Sequence, residues 1–179
     1  DHTSYGAAIA LVIPIVAKMS GIYGKKTTFI ISQSISLLGY LLLWFLFVPG
    51  NPSLFLYALP LFSFGIGSLF TIMMSMTADV CDLDELHSGK RREGIFGAIY
   101  WWMVKVGFAF AGMLTGAILS AVGFDPALTT QPEGALTGLR LFYSGIPIVG
   151  TLLAIYVMYS YDLTKEKAES IRAQIKDRK

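Results

Sequence analysis

Long apolar runs separated by short polar connections set the pattern of this chain. Five runs approach the roughly 20 apolar residues that a helix needs to cross a hydrocarbon core of about 30 Å. They fall at about 5–19, 28–48, 54–80, 95–122 and 141–161. The first is short. The third holds Pro60, Gly65 and Gly67, and the fifth holds Pro147. Both residue types are tolerated in membrane helices, because neighbouring helices re-satisfy the freed backbone groups. The pattern predicts an all-α integral membrane protein, with a bundle of five transmembrane helices over 1–161 and a polar tail over 162–179.

The connections carry the charge. Lys18, Lys25 and Lys26 lie around the first; Lys90, Arg91 and Arg92 lie in the third; Lys165, Lys167, Arg172, Lys176, Arg178 and Lys179 follow the fifth run. The second connection, Pro49-Gly50-Asn51-Pro52-Ser53, is an uncharged turn, and the fourth carries the acids Asp125 and Glu133. Positive charge accumulates on the cytoplasmic side of a membrane protein. The expectation is therefore a cytoplasmic C-terminus, with Asp1 outside and Arg140 the one base at an outer mouth. Tyr57, Tyr143, Tyr159 and Tyr161 lie near run ends, where interfacial anchors belong.

Composition sharpens this reading. Over 179 residues, 54% are hydrophobic and 15% are charged, with a mean hydropathy of +0.60. Soluble domains carry about 25% charged residues. A net charge of +2 needs no nucleic-acid partner, since membrane topology already accounts for the bases. Cys81 is the one cysteine, so the sequence offers neither a disulfide nor a multi-cysteine zinc site. The sequence starts at Asp1 rather than Met, and it reads as a fragment lacking N-terminal helices.

Two features carry candidate chemistry. The first is Lys105, inside the fourth run. It lies twelve residues after Glu93, about 18 Å along a helix axis, too deep to snorkel easily. An intramembrane lysine costs about 2.5–3.5 kcal/mol on insertion scales. No Asp or Glu lies deep in any run, so its partner is water, a substrate or an acid on another helix. The alternative is a purely structural ion pair with a helix outside this chain. Trp101 lies one turn earlier on the same face; its ring suits the apolar face of a pyranose, or simple packing. The second feature is the polar block 79–94. Asp79, Asp82 and Glu85 recur at helical spacing, and Arg91 and Glu93 follow. Carboxylates at one helix end and guanidinium groups at the next form charge-assisted pairs. Such pairs, when exposed, contribute only about 0–1 kcal/mol each, which suits a gate that must open. The block is otherwise a solvated loop with topological bases. The tail is either a solvated end or a surface helix over 163–175, with Glu169 paired to Arg172.

Other motifs fail. Asp82-Leu83-Asp84 lacks the glycine and the terminal glutamate of a calcium loop. Gly24-Lys25-Lys26-Thr27 lacks the spacing of a phosphate-binding loop. Gly112 to Gly116 is a small-residue packing face.

Ala78-Asp79-Val80-Cys81-Asp82-x-x-Glu85, Gly89-Lys90-Arg91-Arg92-Glu93-Gly94 and Lys105-Val106-Gly107 resemble the glycoside–pentoside–hexuronide:cation symporter family, a melibiose-carrier-like branch of the major facilitator superfamily. Lys18-Met19-Ser20-Gly21-Ile22-Tyr23-Gly24-Lys25-Lys26 resembles the superfamily's cytoplasmic loop. The resemblance covers essentially the whole chain. It implies that the five runs are the last five of twelve helices, in a multi-pass protein of the bacterial inner membrane. It implies a cavity-facing, substrate-coupled role for Lys105 and places Trp101 and Phe70 near the sugar. Phe70 stands where melibiose carriers have tryptophan. It also implies that Asp79, Asp82, Glu85, Arg91 and Glu93 form the cytoplasmic network of the closed, outward-facing state. The coupling ion, Na⁺, H⁺ or Li⁺, would bind mainly on the absent N-terminal half; no resident metal or other cofactor is expected.

The sequence therefore reads as the C-terminal half of a secondary transporter, not an enzyme. Sugar:cation symport by alternating access is the leading function. The rivals are a facilitator carrier for another solute, a membrane enzyme of the lipid-head-group transferase type, and a non-transporting subunit. The expected partners are a sugar or glycoside, the bilayer and the missing helices of the same polypeptide; no nucleic acid is expected.

Overall fold

The structure, a computed structural model, describes residues 2–48, 51–128, 130–132 and 134–178, with side chains from Val12 onward except Pro52. The expected turn at Pro49-Gly50, the loop acid Glu133 and the terminal Asp1 and Lys179 lie outside the described residues. Among those described, six α-helices follow one another: α1 His2–Tyr23, α2 Lys25–Leu46, α3 Leu59–Ser88, α4 Glu93–Ala121, α5 Ala135–Tyr159 and α6 Lys165–Asp177. A short 3₁₀ segment, Pro52–Tyr57, precedes α3. Helices α2 to α5 are each long and apolar enough to cross a membrane, and the described side chains of α1 form a shorter apolar stretch, Val12–Tyr23. The expected five spans thus appear as four full spans and one shorter apolar helix.

Local chemistry sets the boundaries. Helix α3 ends because Gly89 takes a left-handed conformation, φ 68°, and its N–H closes on the Glu85 carbonyl at 2.9 Å. Only four residues, 89–92, then separate α3 from α4. Helix α6 starts at Thr164, whose hydroxyl accepts from the Lys167 N–H; Glu166 lies in its first turn and Lys176 in its last. Both charges complement the helix dipole.

Helix α2 is the centre of the bundle and packs against α3 and α5, while α1 lies on α3. Val12 and Val16 of α1, Phe29 of α2, Ile72 and Met76 of α3 and Met158 of α5 form the buried core. The α2–α3 contact is close because Gly65 has no side chain. A Cβ there would lie 2.3 Å from the Ser36 Cβ. Gln33 and Ser68 both donate to the Gly65 carbonyl, at 3.0 and 2.8 Å. Small residues and polar cross-links of this kind replace the hydrophobic effect between membrane helices. Arg140 donates to the Phe47 carbonyl at the end of α2, where a cation meets the negative end of the helix dipole.

Helix α4 stands apart. Its contacts are few and chiefly with α3 and α5, and it has no buried residue. Trp101, Trp102, Met103, Phe108, Phe110 and Met113 are all exposed.

Candidate functional site

The densest polar chemistry gathers where α3 ends and α4 begins. Asp79, Asp82 and Glu85 point the same way because they are three residues apart on α3. Arg91, in the short turn to α4, folds back over them. Its Nη1 lies 2.8 Å from Glu85 and 3.2 Å from Asp82, and its Nε lies 3.2 Å from Glu93. The five residues expected to form the charge network therefore include four joined through Arg91. Arg91 holds its proton more tightly than an ordinary arginine, because Glu93 and then Glu85 accept from it.

Asp79 is reached by other groups, and sequence reasoning missed them. It is 2% exposed and takes Lys25 from the start of α2 at 2.6 Å. Lys25 also donates to the Ser75 carbonyl at 2.8 Å. Arg172 of α6 binds the second oxygen of Asp79, and its Nε lies 3.1 Å from Asp82. Hydrogen bonding to Asp82 leads the causes that raise the Arg172 pKa. Arg92 pairs with Asp84, which raises the Arg92 pKa as well. An isolated carboxylate as buried as Asp79 would be prohibitively costly, and two cations on one carboxylate offset that cost.

These contacts revise the expected tail. Arg172 leaves Glu169 and spends both arms of its guanidinium on α3, and Leu163, Ala168 and Ile171 are buried. The tail is a docked helix rather than a solvated end. Arg178 donates to the Leu86 carbonyl and Lys165 to the Gly21 carbonyl, each at 2.6 Å. Lys26 donates to the carbonyls of Tyr159 and Tyr161, which secures the end of α5. Tyr161 is itself pushed up to about 12, chiefly by burial and secondarily by the nearby Asp79 charge.

The second candidate group is on α4 and α3. Lys105 is exposed, and among the described residues no ion pair or hydrogen bond engages its ammonium. Trp101 is 47% exposed and meets Tyr100 edge-on at 5.4 Å between ring centroids. Phe70 is half-buried on α3. The structure does not bring these three side chains into one enclosed site. An apolar groove of about 520 Å³ opens among α2, α3, α4 and α5, lined on α4 by Ala111, Leu114, Thr115, Ile118 and Leu119. At 100° per residue that lining centres on a different side of α4 from Lys105.

Residues 3–165 match the family described as MFS/sugar transport protein. The chain belongs to this family. It is 32% identical over 166 residues to a glucuronide carrier protein homolog of Escherichia coli, a match covering 93% of this chain and 36% of that protein. It is 31% identical over 164 residues to the isoprimeverose transporter of Lactiplantibacillus pentosus, covering 89% and 33%. It is 30% identical over 116 residues to a putative glycoside/cation symporter of E. coli, covering 64% and 25%. The chain thus spans about a third of the length of the curated relatives it matches. No solved structure matches it significantly. With its membrane-length helices, membership of this family makes it a multi-pass membrane protein.

Proposed function

We propose that this chain is the C-terminal part of a secondary transporter that couples a sugar or glycoside to a cation by alternating access, and that it is a carrier rather than an enzyme. The observation that carries this reading is the family match over nearly the whole chain, to relatives named as carriers and symporters of glycosides. Helix α4 supports it physically. A membrane helix that buries none of its residues and exposes a lysine in its middle has its partners elsewhere in a longer polypeptide. Lys105 then faces an aqueous vestibule between two helical halves, the arrangement of carriers that rock about a midplane site. With the vestibule empty it pairs with an acid of the other half. With substrate bound it donates to sugar hydroxyls, or to a carboxylate if the ligand is a hexuronide. Trp101 stacks on the sugar ring, and Phe70 approaches the same vestibule from α3. The cation, Na⁺, H⁺ or Li⁺, binds mainly to helices outside this chain. The charge cluster at α3, α4 and α6 lies on the cytoplasmic side of a bacterial inner membrane and holds the outward-facing state.

The test is uptake of radiolabelled glycosides and hexuronides by the full-length protein in membrane vesicles, under imposed Na⁺, H⁺ or Li⁺ gradients. Gradient-driven uptake is expected, and Lys105→Ala is expected to abolish it while leaving the protein in the membrane. Uptake by Lys105→Ala at the parental rate ends the assignment of Lys105 to the substrate path. Absence of gradient-driven uptake for every sugar tried ends the symporter reading.

A further inference from the structure

Helix α6 is held to the bundle at three places. Lys165 at its start donates to the Gly21 carbonyl of α1, Arg172 in its middle grips Asp79 and Asp82 of α3, and Arg178 past its end donates to the Leu86 carbonyl. It therefore ties the α1–α2 turn to the acidic end of α3. The tie is not tightly filled. A cavity of about 660 Å³ lies beneath it, walled by Gly24, Lys25, Asp79, Leu163 and Ala168 among others.

The ion pairing has a feature that fixed structural braces do not need. Each acid held by Arg172 has a second base on the bundle. Asp79 has Lys25 at 2.6 Å, and Asp82 has Arg91 at 3.2 Å. Removal of α6 leaves neither carboxylate without a cation. The Arg172 side chain is 52% exposed, so its charge regains water at once on leaving. The usual obstacle to opening a buried ion pair, an orphaned charge in a poorly solvated site, is absent on both sides of this contact. The apolar grip is small, since among the described residues of the tail only Leu163, Ala168 and Ile171 are buried.

We propose that α6 is a releasable clasp on the inner face, docked through Arg172 in the state seen here and let go when that face opens. The proposal rests on the carrier reading above. In the docked state α1, α2 and α3 are tied together at the cytoplasmic end. In the released state Lys25 and Arg91 keep Asp79 and Asp82 neutralised, and the α1–α2 turn is free to move relative to α3. Arg172 is a positioning residue in this scheme; it touches no substrate.

The test uses the full-length protein with every native cysteine, Cys81 included, changed to Ala, so that new cysteines report alone. Ala168→Cys sits on the docked face of α6, 6% exposed. In inside-out vesicles a membrane-impermeant maleimide is expected to label it slowly. Adding Arg172→Ala is expected to speed labelling roughly tenfold or more, the consequence of losing hydrogen bonds between charged groups. Labelling that is fast before Arg172 is changed, or unchanged by Arg172→Ala, overturns the clasp. A second variant, Gly21→Cys with Lys165→Cys, is bridged by a short bifunctional maleimide that fastens α6 to α1. Bridging is expected to stop uptake of radiolabelled p-nitrophenyl glucuronide or methyl glucoside, while the unbridged variant and the two single variants continue. Uptake at full rate after bridging overturns the clasp and leaves the carrier reading intact. If the unmodified parent takes up neither sugar, the carrier reading suffers, and the labelling arm still decides whether α6 releases.

Discussion

Lys25 and Asp79, 54 residues apart in sequence, meet at 2.6 Å, and the carboxylate is 2% exposed. Arg172 approaches the same carboxylate from α6, so one buried acid joins α2, α3 and the tail. This sharing predicts a specific pattern of losses. Lys25→Ala and Arg172→Ala each leave Asp79 with one cation, and each is expected to cost on the order of 1–3 kcal/mol. The double variant leaves a buried carboxylate unpaired, and its cost is expected to exceed the sum, reaching about 3–5 kcal/mol or more. Thermal unfolding of the detergent-solubilised full-length protein measures all three. Strict additivity would mean that the two cations act independently.

The contrast between the Arg91 and Asp79 contacts explains what sequence could reveal. Asp79, Asp82, Glu85, Arg91 and Glu93 are close in the chain, and helical spacing alone aligns the acids. Lys25 and Arg172 join them from 54 and 93 residues away. Both bases already had a sufficient explanation in membrane topology, which hid their pairing. The positive-inside pattern says on which side a base lies and nothing about which acid it meets. The tail misled for a related reason. Glu169 and Arg172 are well spaced for a local pair worth a few tenths of a kcal/mol, but a nearly buried carboxylate is a far stronger acceptor. The membrane-helix class was legible because hydrocarbon thickness imposes it directly. Lys105, Trp101 and Phe70 remained unassembled: Lys105 and Trp101 are exposed on α4 and Phe70 is half-buried on α3, in a chain that spans about a third of the length of its relatives.

Gly65 should be intolerant of even one methyl group. A Cβ at this position falls 2.3 Å from the Ser36 Cβ, and the neighbour is a short side chain with little room to turn away. Gly65→Ala is expected to force α2 from α3, weaken the Gln33 bond to the Gly65 carbonyl and cost about 1–3 kcal/mol. Adding Ser36→Gly removes the obstructing atoms and is expected to recover most of that loss. Unfolding midpoints of the two variants decide it, and a Gly65→Ala protein as stable as the parent would show that the helices separate freely.

Tyr161 buries a hydroxyl that has no hydrogen-bond partner among the described residues. Tyr161→Phe keeps the ring and deletes the unpaired group, so stability at neutral pH is expected to hold or rise, by up to about 1–3 kcal/mol. The pH dependence has a definite sign. Burial and the Asp79 charge favour the neutral phenol and raise its pKa to about 12. The stability linked to this shift is complete below pH 10 and is lost as pH climbs from about 10 to about 12. Tyr161→Phe is expected to lack this part of the alkaline loss. Melting curves of parent and variant between pH 8 and pH 12 compare them directly; identical alkaline profiles would contradict the assignment.

The two sides of α4 should respond oppositely to added bulk. Gly112 shares the Lys105 face, seven residues further along, and a Cβ there meets nothing within 4 Å in this chain. Met103, 58% exposed, projects from the other side of the helix. If the Lys105 face lies against helices of the other half, Gly112→Leu thickens a surface that must approach a neighbour closely. It is then expected to reduce sugar uptake by the full-length protein severely, although Leu favours the helix by up to about 1 kcal/mol over Gly. Met103→Trp adds more volume on a side that lipid can accommodate, and uptake is expected to stay near the parental rate. The reverse outcome, with Gly112→Leu harmless and Met103→Trp damaging, would turn α4 around. The ammonium of Lys105 would then look into hydrocarbon, which no bilayer helix sustains without a compensating partner.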